Sequence, residues 1–506
     1  MSKIKIYLIV FVIFFVAFYL RVMFLSQGAL TFGYDQARDA FTASEILKGD
    51  IKIQGPPSST PGLFHGVLYY YLLAPLYGLG HGSPIIAAYG TSALNAATVF
   101  IIFLFGLKAT KNIWVGVLAA TLFAFSFEAT QYATWLSNPT TAIFTVPLTY
   151  LGLWMWINFK HKWAPILTAL GLGLSIQAEI FLGYHIIPVA IWLFASRKEI
   201  TKKQLAVFFT TLIFTLSTMI LSEIKFGFKS LGGLQSLFTG GETNLAYAKS
   251  IGDYFVLYLN QVGRIFAFNS YPGNIGYGGG LVIVLAIYSL IKKDKVGTFL
   301  ATWLFAHLSV VTIGGTSTPF LMVGIGPAVS VILAYFLVKW WESGYKFITI
   351  LVFLILVYGN LSFIFRENPK GATLFAIQKD LVLSKELLLV DYTYQKSDSE
   401  AFSLNSLTSP LWINITWTYL YKWYGESKYG YIPQWHGRDQ VGQIDSLPKF
   451  DGKTRKAFLI LEPMGGIPAQ YLDNTQEEEN GFSKFVSEQN WGELRVQERE
   501  IYAVKK

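Results

Sequence analysis

Long apolar runs separated by short basic connections fill the first two thirds of the chain. A window of about 19 residues, enough to cross a bilayer core as a helix, marks about eleven of them. They lie near residues 4–24, 84–107, 112–128, 139–159, 163–179, 181–196, 204–222, 276–291, 296–314, 319–340 and 346–365. The fifth and sixth are short, and Gln177, Glu179 and His185 interrupt them, as in helices broken or tilted beside a cavity. The first run, Ile6 to Leu20, is followed by Arg21 and by no small-residue cleavage pattern, so it reads as a retained membrane helix. Between the first two runs, Thr42 to Leu47 continues a helix from Asp35 that Gly49 ends. Pro56, Pro57, Pro61 and Gly62 then break the chain, and Leu68 to Pro75 forms an aromatic amphipathic stretch suited to the membrane interface.

The pattern changes near Arg366. Residues 366–506 hold 17 basic and 19 acidic side chains, against 23 and 12 in residues 1–365. Strand-like runs, Leu387 to Val390 and Ala457 to Leu461, alternate there with turn-rich stretches such as Pro463 to Gly466. The expected fold is an α-helical polytopic membrane protein over residues 1–365, with outer loops 25–83 and 223–275. A small soluble α/β domain outside the membrane follows over 366–506. The Gly-rich stretch Tyr271 to Gly280 matches no phosphate-loop pattern and reads as a flexible outer loop. Asn414-Ile415-Thr416 matches a glycosylation acceptor, a triplet common by chance.

Composition supports the same class. Apolar residues are 53%, aromatics 17% and charged residues 14%, where a soluble protein carries about 25% charge. The net charge of +9 is not a nucleic-acid signal, because 15 of the 23 basic residues before Arg366 lie at the N-terminus or in very short connections. Basic short loops mark the cytoplasmic side, so the N-terminus is expected in the cytoplasm and the charged tail outside a cell membrane crossed many times. With no cysteine the chain has neither disulfides nor thiolate metal sites.

Carboxylates are scarce in this apolar part, and two share the heptapeptide Tyr34-Asp35-Gln36-Ala37-Arg38-Asp39-Ala40 directly after the first run. Ionisable groups near a bilayer are costly, which makes those retained functional candidates. Asp35, Arg38 and Asp39 fall at i, i+3 and i+4 on one helix face, and the plain alternative is an intrahelical ion pair. The planar fork of Arg38 suits either a carboxylate or a phosphate. Other candidates are His65, Glu128, Asn138, Glu179, Glu223 and the cations Lys225, Lys229 and Arg264, each with an ordinary role as a membrane-surface charge or packing group. Glu223 beside Lys225 reads equally as an interfacial ion pair, worth about 0–1 kcal/mol when exposed.

Several segments together resemble the GT-C membrane glycosyltransferases, specifically the prokaryotic relatives of dolichyl-phosphate-mannose protein mannosyltransferases and of aminoarabinose transferases. They are Arg21 with Tyr34 to Ala40, His65 to Pro75, Gly173 to Glu179 and Leu221 to Phe228, over about residues 1–340. The resemblance implies that Asp35 is a general base. It would deprotonate an acceptor hydroxyl, which attacks the anomeric carbon of a polyprenyl-phosphate sugar with inversion. Such a displacement needs a carboxylate on the acceptor side and cationic or hydrogen-bonding groups by the leaving phosphate. Arg38, Lys225, Lys229 and Arg264 are the candidates for the phosphate.

The chain also departs from the family pattern. Thr134 stands where relatives carry Arg, and Asn138 stands where distant relatives carry an acid. Asn138 would hydrogen-bond a sugar, with Glu128 supplying charge from the helix end. Glu179 replaces a family histidine, with His185 six residues on. A divalent-metal site would be assembled from Glu179, Glu223 and His185, and spacing so poor in histidine argues against one. The expected partners are the polyprenyl-phosphate sugar, a protein, lipid or polysaccharide acceptor, and membrane lipids. A transporter or flippase of lipid-linked sugars is the alternative, but no internal repeat of the kind transporters show is visible. A third reading is a scaffold without activity whose outer domain binds a partner.

Overall fold

The computed structural model describes residues 3–58, 60–230, 232–233, 250–310, 319–438 and 445–502. In chain order its first helices are α1 (Lys3–Val22), α2 (Tyr34–Leu47), α3 (Leu68–Leu79), α4 (Pro84–Thr110), α5 (Ile113–Ala124) and α6 (Phe127–Ala133). They continue with α7 (Ala142–Phe159), α8 (Ala164–Ala178), α9 (Ile186–Ala195), α10 (Lys202–Thr215) and α11 (Ser217–Phe226). Further apolar helices cover Ile251–Phe268, Ile275–Ile291, Lys295–Leu304, Gly326–Glu342 and Lys346–Glu367. Among the described residues, four helices are long and apolar enough to cross a membrane, or six if each of two bent pairs is one crossing. That is fewer than the eleven expected. Several apolar runs are shorter helices, and Glu179 breaks the run between α8 and α9.

One of the two bends has a clear local cause. Between α5 and α6 the axis turns by 53°, and Ser126 starts the new helix by accepting the Ala129 N–H. Ending α5 here strands its last carbonyls in the apolar interior, where an unpaired polar group is costly. Arg21, buried on α1, answers them: its guanidinium donates to the Phe123 and Ala124 carbonyls at 3.3 and 3.2 Å and to Asn95 Oδ1 at 2.7 Å. Arg21 therefore closes a helix end, and among the described residues it pairs with no carboxylate.

The Gly-rich stretch is not a loop throughout. From Ile275 it is helical, and a Cβ on Gly279 would stand 2.6 Å from the Gly263 carbonyl. Gly278 and Gly279 serve close packing against the helix Ile251–Phe268. The run Leu387 to Val390 is likewise helical, inside Leu383–Lys396. The buried positions of that helix, Leu383, Glu386, Leu389, Val390 and Thr393, follow the helical period, which four adjacent apolar residues cannot reveal.

The C-terminal part carries a five-stranded sheet of β1 (Phe402–Leu407), β2 (Gln434–Trp435), β3 (Lys456–Leu461), β4 (Ser483–Trp491) and β5 (Leu494–Ile501) in the order β2-β1-β3-β5-β4. β1 runs parallel to β2 and β3, with Leu404 beside Phe458, while β5 is antiparallel to β3 and β4. The apolar core of this part is continuous with α2 and α3. Phe32, Ala37, Tyr70 and Tyr77 share one buried cluster with Leu383, Trp417, Tyr419 and Phe458. The cavity described next is built at this junction.

Candidate active site

Helix α2 starts where it does because Gly33 is extended and the Gln36 side chain turns back on it. Gln36 Oε1 accepts the Gly33 N–H at 3.0 Å, and its amide donates to the Leu136 carbonyl at 2.9 Å. One side chain thus caps the helix and ties it to the loop after α6. Asp35 falls in the first turn, where the helix dipole favours a carboxylate. Its side chain is 57% exposed and accepts from Arg38 at 2.7 Å. Arg38 is buried and donates on its other side to Asp39 Oδ1 at 2.7 and 2.9 Å. Burial opposes the Arg38 charge, but Asp39 and then Asp35 outweigh it and hold the guanidinium pKa well above its ordinary value. The buried Asp39 anchors the guanidinium, and the guanidinium fixes the one accessible carboxylate.

The facing wall is the loop before α3, laid on the end of α8. The Gly66 N–H donates to the Gln177 carbonyl at 2.8 Å, and His65 Nδ1 accepts the Ile180 N–H at 3.2 Å. Glu179 Oε1 lies 3.4 Å from the same Nδ1. Since Nδ1 accepts, the neutral ring carries its proton on Nε2. Burial, aided by the charge of Arg38, pulls the His65 pKa down to about 3. The unfolded chain has an ordinary histidine value of about 6.5. It therefore binds more protons than the folded protein as pH falls through that interval. Stability from the neutral ring is complete above about 6.5 and is lost toward 3, by up to about 1.4 kcal/mol per pH unit. Denaturation at pH 7 and pH 5 should show a smaller loss in His65→Gln than in the wild type.

Gly66 permits this contact. A Cβ there would overlap the Gln177 side-chain carbonyl and stand 2.7 Å from Gln177 Cα, which no rotamer change relieves. Gly66→Ala is expected to lower stability by about 1–3 kcal/mol and to displace His65. Thermal unfolding measures the first effect, and the His65 ring resonances report the second.

Chain from later in the sequence closes the cavity. Trp135, Ser137, Asn138 and Pro139 form one side, with Phe320, Phe375 to Gln378, Ser409 and Pro410 above. Glu462, buried in the C-terminal part, holds this cover: it accepts from the Ser409 N–H at 2.9 Å, Gln378 Nε2 at 3.2 Å and Trp417 Nε1 at 3.1 Å. Burial outweighs these donors and pushes its pKa up to about 7. The enclosed space is about 500 Å³, within the range of small-molecule sites.

Of the residues singled out from the sequence, Asp35, Arg38, His65, Asn138 and Glu179 line this space. Asp39 lies behind Arg38. Glu128 does not reach the cavity: its Oε1 accepts from Tyr132 at 2.8 Å and its Oε2 from Asn269, inside the membrane part. Glu223 is engaged by Ser230, whose N–H donates to it at 3.1 Å. Lys225, Lys229 and Arg264 are exposed and are not among the lining residues. His185 pairs with the Tyr150 hydroxyl at 2.9 Å. Among the described residues no three His, Cys, Asp or Glu side chains are placed to share a metal ion. The sequence reading missed Gln378, Ser409 and the residues about them, which no local motif marks.

No family model matches the chain, and no curated protein matches it. Solved structures do. ArnT from Cupriavidus metallidurans, bound to undecaprenyl phosphate, superimposes over 98% of both chains with a TM-score of 0.55 at 11% identity. The same protein in its apo state also gives a TM-score of 0.55 at 11% identity, over 98% of this chain and 97% of that one. At such identity the likeness speaks for the fold alone, which resembles that of ArnT.

Proposed function

We propose that the protein transfers a sugar from a polyprenyl-phosphate carrier to an acceptor hydroxyl or similar group, with inversion, at the outer face of the membrane. The observation that carries this reading is Asp35: the accessible carboxylate of a 500 Å³ cavity, held by a buried guanidinium in a chain of GT-C fold. The fold neighbour ArnT was captured with undecaprenyl phosphate, and we assign the same class of carrier to this protein.

Asp35 takes the proton of the acceptor hydroxyl. The acceptor oxygen bonds to the anomeric carbon as the bond from that carbon to the phosphate oxygen breaks, and the electron pair leaves with the carrier phosphate. The leaving group is already anionic, so no protonating acid is required. The Nε2–H of His65 is the donor we assign to the leaving phosphate. Glu179 and Asn138 are assigned to the sugar hydroxyls. Because two carboxylates already engage Arg38, we give it the task of orienting Asp35. Lys225, Lys229 and Arg264 are assigned to guiding the anionic headgroup toward the cavity from outside it.

The distribution of Lys and Arg supports an N-terminus in the cytoplasm, which puts 25–83, 223–275 and 366–506 outside and residues 1–365 as the embedded domain. Incubation of purified protein with a polyprenyl-phosphate sugar tests the reaction. Release of polyprenyl monophosphate, with a product of opposite anomeric configuration by NMR, is expected. A product of unchanged configuration would contradict single displacement.

A further inference from the structure

A second cavity, of about 600 Å³, opens on the other end of α2 and belongs to nothing described so far. Its walls are Phe41, Ser44, Glu45 and Lys48 of α2, His81 and Gly82 from the turn before α4, and Tyr419, Lys422, Trp423 and Asp445. Three separate irregularities of the backbone meet there. Lys422 and Trp423 sit on a π-helical turn, Tyr421–Gly425, a rare form concentrated at functional sites. His81 adopts a left-handed conformation with φ of 48°, uncommon for any residue but glycine. Gly82, with φ of 85°, admits the Trp423 ring so closely that a Cβ would stand 2.8 Å from Cδ1. Tyr419 fixes the arrangement by donating to the Gly82 carbonyl at 2.6 Å and by lying nearly parallel to the Trp423 ring, 6.2 Å away.

The chemistry of the lining narrows the ligand. Trp423 is half-buried and offers an indole face at the cavity wall. Around it stand Glu45, Asp445, Lys48 and Lys422; Lys422 is bonded to Asp445 at 2.7 Å, and Glu45 to Lys52, outside the lining, at 2.8 Å. The lining offers donors and acceptors beside an aromatic platform, which suits the C–H face and hydroxyl edge of a sugar ring. Glu45 lies ten residues along the same helix from Asp35, about 15 Å at the α-helical rise.

We propose that this cavity is a saccharide-binding subsite that holds the acceptor a few sugar units from the hydroxyl that reacts. This rests on the transfer reaction proposed above and makes the acceptor an oligosaccharide or polysaccharide. A lipid headgroup is the rival occupant, since the turn at His81 directly precedes a membrane helix.

The full chain in detergent, titrated calorimetrically with linear tetrasaccharides of glucose, mannose and N-acetylglucosamine, tests this. At least one should bind. Trp423→Ala should weaken that binding tenfold or more, Trp423→Phe should restore most of it, and Lys48→Ala, a surface change that leaves folding intact, should weaken it severalfold. Hydrolysis of the polyprenyl-phosphate sugar by water should stay at the wild-type rate in Trp423→Ala. Absence of binding by all three probes overturns the proposal, as does wild-type affinity in Trp423→Ala and Lys48→Ala. Displacement of the saccharide by vesicles of phosphatidylglycerol but not of phosphatidylcholine also overturns it, in favour of a headgroup site. Trp423-dependent binding in a protein that never turns over the donor would sink the transfer reaction and leave the saccharide site standing.

Discussion

Asp35→Asn is expected to lower turnover about 10²–10⁴-fold, the usual worth of a positioned general base, while thermal unfolding stays at the wild-type midpoint. The two readouts separate because of where the residue sits. Its side chain is 57% exposed, so its bond to Arg38 adds little to folding, about 0–1 kcal/mol for an exposed pair. Asparagine keeps the shape and keeps an oxygen for the guanidinium, but loses the ability to take a proton. Saturation with donor should leave KM for the lipid-linked sugar unchanged and put the whole effect on kcat, the signature of an interaction made in the transition state. Turnover within threefold of wild type would remove Asp35 from the reaction.

Arg38→Met is expected to affect both quantities. The guanidinium is buried between Asp35 and Asp39, and Asp39 is only 1% exposed. Removing one partner of a buried pair leaves an uncompensated carboxylate, at a cost of about 3–5 kcal/mol. Among the described residues Asp39 Oδ2 has no hydrogen-bond partner, so none of them stands ready as a second donor. The double variant Arg38→Met/Asp39→Leu should recover most of that stability, because both charges leave together. It should not recover turnover, because Asp35 stays without its support. A double-mutant cycle on unfolding, read beside kcat for all four proteins, distinguishes positioning from packing. Full activity in the double variant would show that Asp35 needs no guanidinium.

How far the sequence alone could go depended on how local each signal is. The extent of α2 was legible from Gly49 and from the i, i+3, i+4 spacing of Asp35, Arg38 and Asp39, all read within or next to one helix. The break beside Glu179 was legible too, since a carboxylate interrupts an apolar run. What could not be read is which neighbour a polar group finds. Arg21 simply follows the first apolar run in the sequence, yet it binds the carbonyls of α5, about a hundred residues later. Glu128 looks like a spare charge at a helix end, yet Tyr132 and Asn269 enclose it. Leu387 to Val390 is four apolar residues in a row, which suit a buried strand or a buried helix equally. The cover of the cavity was the least accessible part. Gln378 and Ser409 reach it only because Glu462, more than fifty residues further on, draws both toward itself.

The central claim is that the space between Asp35 and His65 receives a lipid-linked phosphate, and a cryo-electron microscopy structure of the protein with polyprenyl phosphate addresses it most directly. The account predicts phosphate density inside this space, in hydrogen-bond reach of His65 Nε2, with the carboxylate of Asp35 facing the acceptor side. A lipid phosphate lodged elsewhere, with this space filled by water alone, would contradict it.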